Sequence, residues 1–223
     1  MIGRWFKLRR ARQALAAQDL SKRKAGLEMI SDLEDPQLAD LVARMAVADP
    51  DMDCLMAARE KVLKHSSPRV VSALRHHLLM SWELGTRRCA AEILGSIGGQ
   101  DAMHALARGV EDFTFRQAQE LCVRALGKIR DPAVIPLLKK IADDSFWYPS
   151  RKKRVGGSGI DIGYDERAVA REDARVREAA LETLASIGGD EVIAIIRRHI
   201  KDYDVLVRGT AGRLLKQLET PQA

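Results

Sequence analysis

Cations return along this chain at a regular interval. Arg44, His76, Arg108 and Lys140 stand 32 residues apart, and Arg198 continues the register after a longer step. Arg75, Lys139 and Arg197 lie beside three of them. A line of positive side chains can receive an acidic segment of a partner protein or a phosphate backbone. The same residues also suit the last turns of helices, where cations complement the dipole and cover apolar surface with their stems. Partner contact is the expectation carried forward for Arg44, Arg75, His76, Arg108, Lys139, Lys140, Arg197 and Arg198.

A second chemistry-bearing stretch differs in make-up from the rest. Phe146, Trp147 and Tyr148 are followed by Arg151, Lys152, Lys153 and Arg154, then by Gly156-Gly157-Ser158-Gly159. Aromatics beside cations can form a stacking platform for single-stranded nucleic acid. The alternative is that the aromatics fold back over the preceding repeat while the cations stay solvated. The glycine run lacks the Lys-Ser/Thr ending and strand context of a phosphate loop.

Covalent and metal chemistry have less to work with. His65, His76, His77, His104 and His199 show no ligand spacing, and no CxxC pair occurs, so neither a metal, a cofactor nor a catalytic residue is expected. Cys54, Cys89 and Cys122 cannot all pair with one another. Unpaired thiols point to a reducing, cytoplasmic location.

The elements that carry these residues follow from a repeat. The small residues Gly26, Ala58, Ala90 and Cys122 also recur every 32 residues, with Ile30, Val62, Leu94 and Leu126 four places on. Ala180 and Ala211 head two more copies, 31 apart. Such a period predicts a stacked solenoid of helical hairpins. Asp35-Pro36, Ser67-Pro68 and Asp131-Pro132 start the second helices, and Gly98-Gly99 and Gly188-Gly189 stop first helices. The spacing places the hairpins at 22–48, 51–82, 86–112, 115–143 and 173–202, with a closing helix at 204–219. Arg23, Arg87, Arg177 and Arg208 precede the anchors by three. They are read as structural, reaching an aspartate or carbonyl of the preceding turn.

Charge is uneven. The chain of 223 residues carries +6, yet residues 1–24 alone hold eight cations against Asp19, and the rest is close to neutral. No apolar run approaches the length of a membrane span. Ile2, Trp5 and Phe6 share one side of a helix among Arg4, Lys7, Arg9 and Arg10, a mixture suited to peripheral membrane contact through residues 1–12. Capping of the first repeat is the preferred reading.

The pattern Arg-x-x-Ala-x-x-x-Leu-x-x-Ile-Gly, complete from Arg87 and from Arg177, resembles HEAT repeats. It is similar to the short bacterial variety also found in phycobilin lyases. The resemblance implies stacked hairpins whose second helices line the concave face, and a protein-binding role. The fold expected is all-α, a right-handed α-solenoid of about five HEAT-like hairpins plus terminal capping helices. Its parts are a basic capping helix at 1–21, repeats at 22–143, an insertion loop at 144–172, and a last repeat with a closing helix at 173–223. The chain has no His-Glu dipeptide, the pair used in the metal sites of HEAT-type iron hydroxylases. The likeness is therefore read as one of scaffold, and no enzyme activity is expected. The function expected is a non-catalytic scaffold or adaptor that binds an acidic partner segment. The alternatives are nucleic-acid binding, or an accessory lyase-like subunit for chromophore or cofactor attachment.

Overall fold

Several helix starts among the described residues are secured by an oxygen-bearing side chain that accepts a backbone N–H left free in the first turn. Asp19, Asp35, Asp51 and Ser67 accept from the backbone amides of Lys22, Leu38, Cys54 and Val70. Each such cap contributes about 1 kcal/mol. The computed structural model describes residues 2–111, 116–143 and 166–219. The described residues contain helices and turns and no strand.

The chain divides into two compact units, Met1–Gly109 and Val110–Ala223. The first contains α1 (Ile2–Leu15), α2 (Leu20–Glu28), α3 (Pro36–Ala48), α4 (Met52–Lys64), α5 (Pro68–Met80), α6 (Leu84–Ile97) and most of α7 (Gly99–Glu111). Here α2, α4 and α6 form one layer, and α3 packs against α4, α5 and α6. The second unit contains α8 (Arg116–Ile129), α9 (Ile135–Ala142), α10 (Glu166–Ile187), α11 (Asp190–Arg198) and α12 (Val205–Glu219). In it α10 lies between α8 and α12 and also contacts α9 and α11. The architecture is an all-α solenoid of HEAT-like hairpins.

The repeated small residues sit where helices meet. Ala58, Ala90, Cys122, Ala180 and Ala211 are fully buried. At Gly26 an added Cβ would lie 3.0 Å from Ala14 Cβ and 3.1 Å from Leu15 Cδ2, so glycine is what lets α1 close on α2. Val62, Leu94, Leu126 and Leu184, one turn further on, fill the interior at 0% exposure. The turns after α6 and α10 need backbone angles that L-residues avoid: φ is +69° and +75° at Gly98 and Gly99, and +79° and +97° at Gly188 and Gly189.

The structure departs from the expected boundaries in one place. Helix α10 begins at Glu166, inside the segment read as a loop over 144–172. Residues 166–172 run Glu-Arg-Ala-Val-Ala-Arg-Glu, nearly all good helix formers, and propensity there outweighs the glycine-rich run before them. Phe146, Trp147, Tyr148, Arg151, Lys152, Lys153 and Arg154 lie outside the described residues. No helix among the described residues is long and apolar enough to cross a membrane.

All three cysteines are free, Cys54 and Cys122 buried and Cys89 half-exposed. Burial pushes the Cys54 thiol above its usual range, and the Asp49 carboxylate adds to this while Arg23 opposes it. A thiol reagent under native conditions is therefore expected to label Cys89 first. Cys54 and Cys122 should follow only on unfolding, which mass mapping of the labelled peptides checks.

Candidate functional site

Three groups of side chains could do more than hold the fold. The first is the cation column. Arg44 on α3, Arg75 and His76 on α5 and Arg108 on α7 are all exposed in the first unit. In the second unit Lys140 on α9 and Arg198 on α11 are exposed too. Their neighbours are engaged: Lys139 donates to Asp143 at 2.6 Å, and Arg197 to Glu219 at 2.7 Å. His77, beside His76, is half-buried. Burial holds its pKa below the usual value, with the nearby His76 and Arg44 acting the same way and Asp40 opposing. It therefore adds no charge to the column near neutral pH.

The second group grows from the arginines that precede the anchors. Arg23 donates to the carbonyl of Gln18 at 2.7 Å and to Asp49 at 3.1 Å. Arg87 donates to the carbonyls of Ser81 and Leu79 at 2.6 and 2.8 Å. Arg208 donates to the carbonyl of Asp202 at 2.6 Å. Arg177 is the most engaged. It donates to the Ala142 carbonyl at 2.8 Å, forks onto both oxygens of Asp202 at 3.1 and 2.5 Å, and lies 5.0 Å over the Tyr203 ring. His199, also buried, meets Asp202 through Nδ1 at 3.0 Å, and its Nε2 lies 3.3 Å from Asp143. Burial alone would raise the Asp202 pKa. The hydrogen bonds from Arg177, His199 and the Asp204 amide outweigh it, and the carboxyl is held below its usual range. This clasp ties the ends of α9 and α11 to α10. Reading the sequence found its arginines and missed Asp202 and His199. The signal available was an aspartate 26 residues after Arg23 (Asp49) and 25 after Arg177 (Asp202).

The third group was not singled out in the sequence at all. Two residues past each anchor stand Glu28, Glu60, Glu92, Arg124, Glu182 and Arg213. In the second unit this register is self-satisfied: Arg124 and Arg213 both donate to Glu182, at 2.7 and 2.8 Å. Burial would raise the Glu182 pKa, yet the two guanidiniums hold it below the usual carboxylate range. In the first unit Glu92 takes Arg59 at 3.5 Å, whereas Glu28 and Glu60 line a groove of about 330 Å³ between α2 and α4. Ala57 adds some apolar surface to it, Leu27 lies buried beneath it, and Lys24 crosses it to Asp53 at 2.8 Å. Lys61 also lines it and is turned to the Ile30 carbonyl at 3.2 Å. Lys64 completes the lining, so three lysines stand against Glu28, Asp53 and Glu60. Lys24 and Lys61 are turned to Asp53 and to a carbonyl, which leaves Glu28 and Glu60 as the exposed carboxylates that could meet an amine.

The repeat matches known models in two stretches: residues 81–152 match HEAT repeats, and residues 176–202 match the PBS lyase HEAT-like repeat. The chain carries HEAT repeats in these two stretches. Among curated proteins this HEAT-repeat chain is 30% identical over 119 residues to the deoxyhypusine hydroxylase of Eremothecium gossypii, covering 53% of this chain and 29% of that protein. It is 27% identical over 126 residues to the enzyme of the same name from Rattus norvegicus, covering 56% and 33%. The chain thus spans about a third of the length of these relatives. A solved structure of human deoxyhypusine hydroxylase in complex with glycerol matches at TM-score 0.49 and 19% identity, over 94% of this chain and 72% of that one. A designed armadillo repeat protein matches at TM-score 0.41 and 13% identity, over 93% and 98%.

These relatives correct two expectations. A non-catalytic adaptor, and the absence of enzyme activity, do not stand against curated relatives that are enzymes. By name they are hydroxylases, so they lend nothing to the nucleic-acid or lyase alternatives either. The cause of the error is physical. A solenoid's period is set by its packing positions, while the groups that act on a substrate sit at surface positions that leave the period unchanged. The metal fit is a separate matter. Among the described residues no group of three or more His, Cys, Asp or Glu is placed to hold an ion, and the His-Glu pair is missing from the sequence. The described residues do not fit a metal centre of that kind.

The Arg177 clasp yields a pH dependence with a definite sign. Because the Asp202 pKa is lowered in the folded state, its stabilisation is present above the unfolded carboxyl pKa and lost as pH falls through the folded one. The melting temperature should fall on acidification through the carboxylate range, and fall less in Asp202→Asn, which starts lower. Arg177→Ala strands a buried carboxylate and is expected to cost about 3 kcal/mol in denaturant titrations at neutral pH.

Proposed function

We propose that this chain recognises an amine-bearing protein side chain of the deoxyhypusine type, as part of an enzyme-catalysed modification. The observation that carries this reading is the similarity of just over half the chain to deoxyhypusine hydroxylases from three organisms. The groove between α2 and α4 supports it: Glu28 and Glu60 are exposed along it and can meet an ammonium, and Ala57 and the stems of Lys61 and Lys64 can flank the methylenes of a long side chain. The role given to this chain's residues is binding and orientation. No oxidation step is assigned to them, since their donor set does not fit a metal ion.

The test is binding of the purified chain to two labelled peptides that differ only in carrying deoxyhypusine or lysine, followed by fluorescence anisotropy. The deoxyhypusine peptide is expected to bind more tightly, and Glu28→Gln with Glu60→Gln is expected to weaken it roughly fivefold. Equal affinity for the two peptides overturns the reading.

A further inference from the structure

The first helix is attached to the body by only part of its surface. Ala11 and Leu15 are buried at 2% exposure each, and Arg12 is paired with Asp35 at the start of α3. Leu8 and Ala14 are half-buried on the same side. The start of the helix, ahead of these residues, is turned to solvent: Trp5 is 55% and Phe6 58% exposed, and Lys7, Arg9 and Arg10 are exposed around them. Had α1 served solely to cover the first repeat, its largest apolar side chains would be the ones buried. The repeat is covered instead by an alanine and a leucine, and the aromatics are left over.

Two further observations narrow what meets this surface. Of the cations in residues 1–24, Arg23 and Lys24 are held by Asp49 and Asp53, as Arg12 is by Asp35. Those near the aromatics, Lys7, Arg9 and Arg10, point outward, so the exposed patch is strongly positive. The rings also partly cover one another, which leaves less open face for base stacking. Arg9 covers Trp5 at 5.6 Å, and Phe6 meets it edge-on, with centroids 5.0 Å apart and planes at 81°. A nucleobase needs an open aromatic face. A bilayer interface needs bulky rings at headgroup depth, with cations whose stems reach the phosphates, and the exposed start of α1 carries both.

We propose that the Trp5/Phe6 face of α1 docks on the surface of an anionic lipid bilayer, with Lys7, Arg9 and Arg10 against the headgroup phosphates. The docking is peripheral, because one short helix with two rings and three cations gives reversible attachment. It leaves the groove between α2 and α4 on different residues, so it stands or falls separately from the substrate reading.

The experiment is co-sedimentation of the full chain with vesicles of equimolar phosphatidylglycerol and phosphatidylcholine, against vesicles of phosphatidylcholine alone. Binding is expected to the first and not the second. Trp5→Ser with Phe6→Ser, and separately Lys7→Ser with Arg9→Ser and Arg10→Ser, should each reduce partitioning by about tenfold or more. These side chains are exposed, so both variants should keep the wild-type circular dichroism melting curve. A second measurement follows Trp5 fluorescence in a Trp82→Phe, Trp147→Phe background, where anionic vesicles should shift the emission to the blue. Equal partitioning of wild type and variants, equal binding to both vesicle types, or displacement from vesicles by a single-stranded oligonucleotide would each overturn the proposal.

Discussion

Close approach between helices at the small anchor residues is the constraint on which the rest of the structure depends. A Cβ at Gly26 would crowd Ala14 and Leu15 at 3.0–3.1 Å, and one at Gly127 would lie 3.2 Å from the Thr183 hydroxyl, which donates to the Val123 carbonyl at 3.0 Å. Interiors packed at this density do not tolerate added volume without displacing a neighbour. The separation set there fixes how far a side chain must reach to touch the adjoining hairpin. It is why an arginine three places before an anchor can meet the carbonyls of the turn before it, and an aspartate of the turn after it. The clasp around Arg177 is thus a consequence of the packing positions as well as a lock on them.

Packing and capping were legible in the residues because they repeat. Gly26, Ala58, Ala90 and Cys122 announce the hairpins, and Asp35-Pro36 and Ser67-Pro68 announce helix starts that the structure caps as expected. What was not legible is what does not repeat, or repeats in a way that resembles ordinary surface. Glu28 and Glu60 read as solvated glutamates until α2 and α4 bring them to one groove. Asp202 reads as a turn residue until Arg177 is seen folded onto it. The start of α10 was hidden because a glycine-rich run beside it draws attention away from Glu166–Glu172. The leading helix covers the first repeat as expected, but through Ala11 and Leu15, and Trp5 and Phe6 are left exposed.

The functional reading failed for a related reason. A basic column such as Arg44, Arg75, His76 and Arg108 is visible in any repeat register, so it attracted a binding role. In the second unit Lys139 and Arg197, beside the same column, are already matched by Asp143 and Glu219, which shows how much of such charge can be internal housekeeping. The similarity to hydroxylases redirects attention from cations that recur to carboxylates that face a cleft. It does so without bringing a metal-holding set of side chains, and the binding surface is what the two observations share.

The register two places past the anchors has a consequence for how such a chain can change over time. Its first three positions are all acidic, and its last three alternate, Arg124, Glu182 and Arg213, each ion pair formed between neighbouring hairpins. The hairpins are therefore alike in shape and unlike in address. A duplication that put a copy of the Glu182 hairpin in place of the Arg124 hairpin would take one of the two guanidiniums from Glu182, although every packing position still matched. In that unit the order of the repeats is written in charge, while their stacking is written in size.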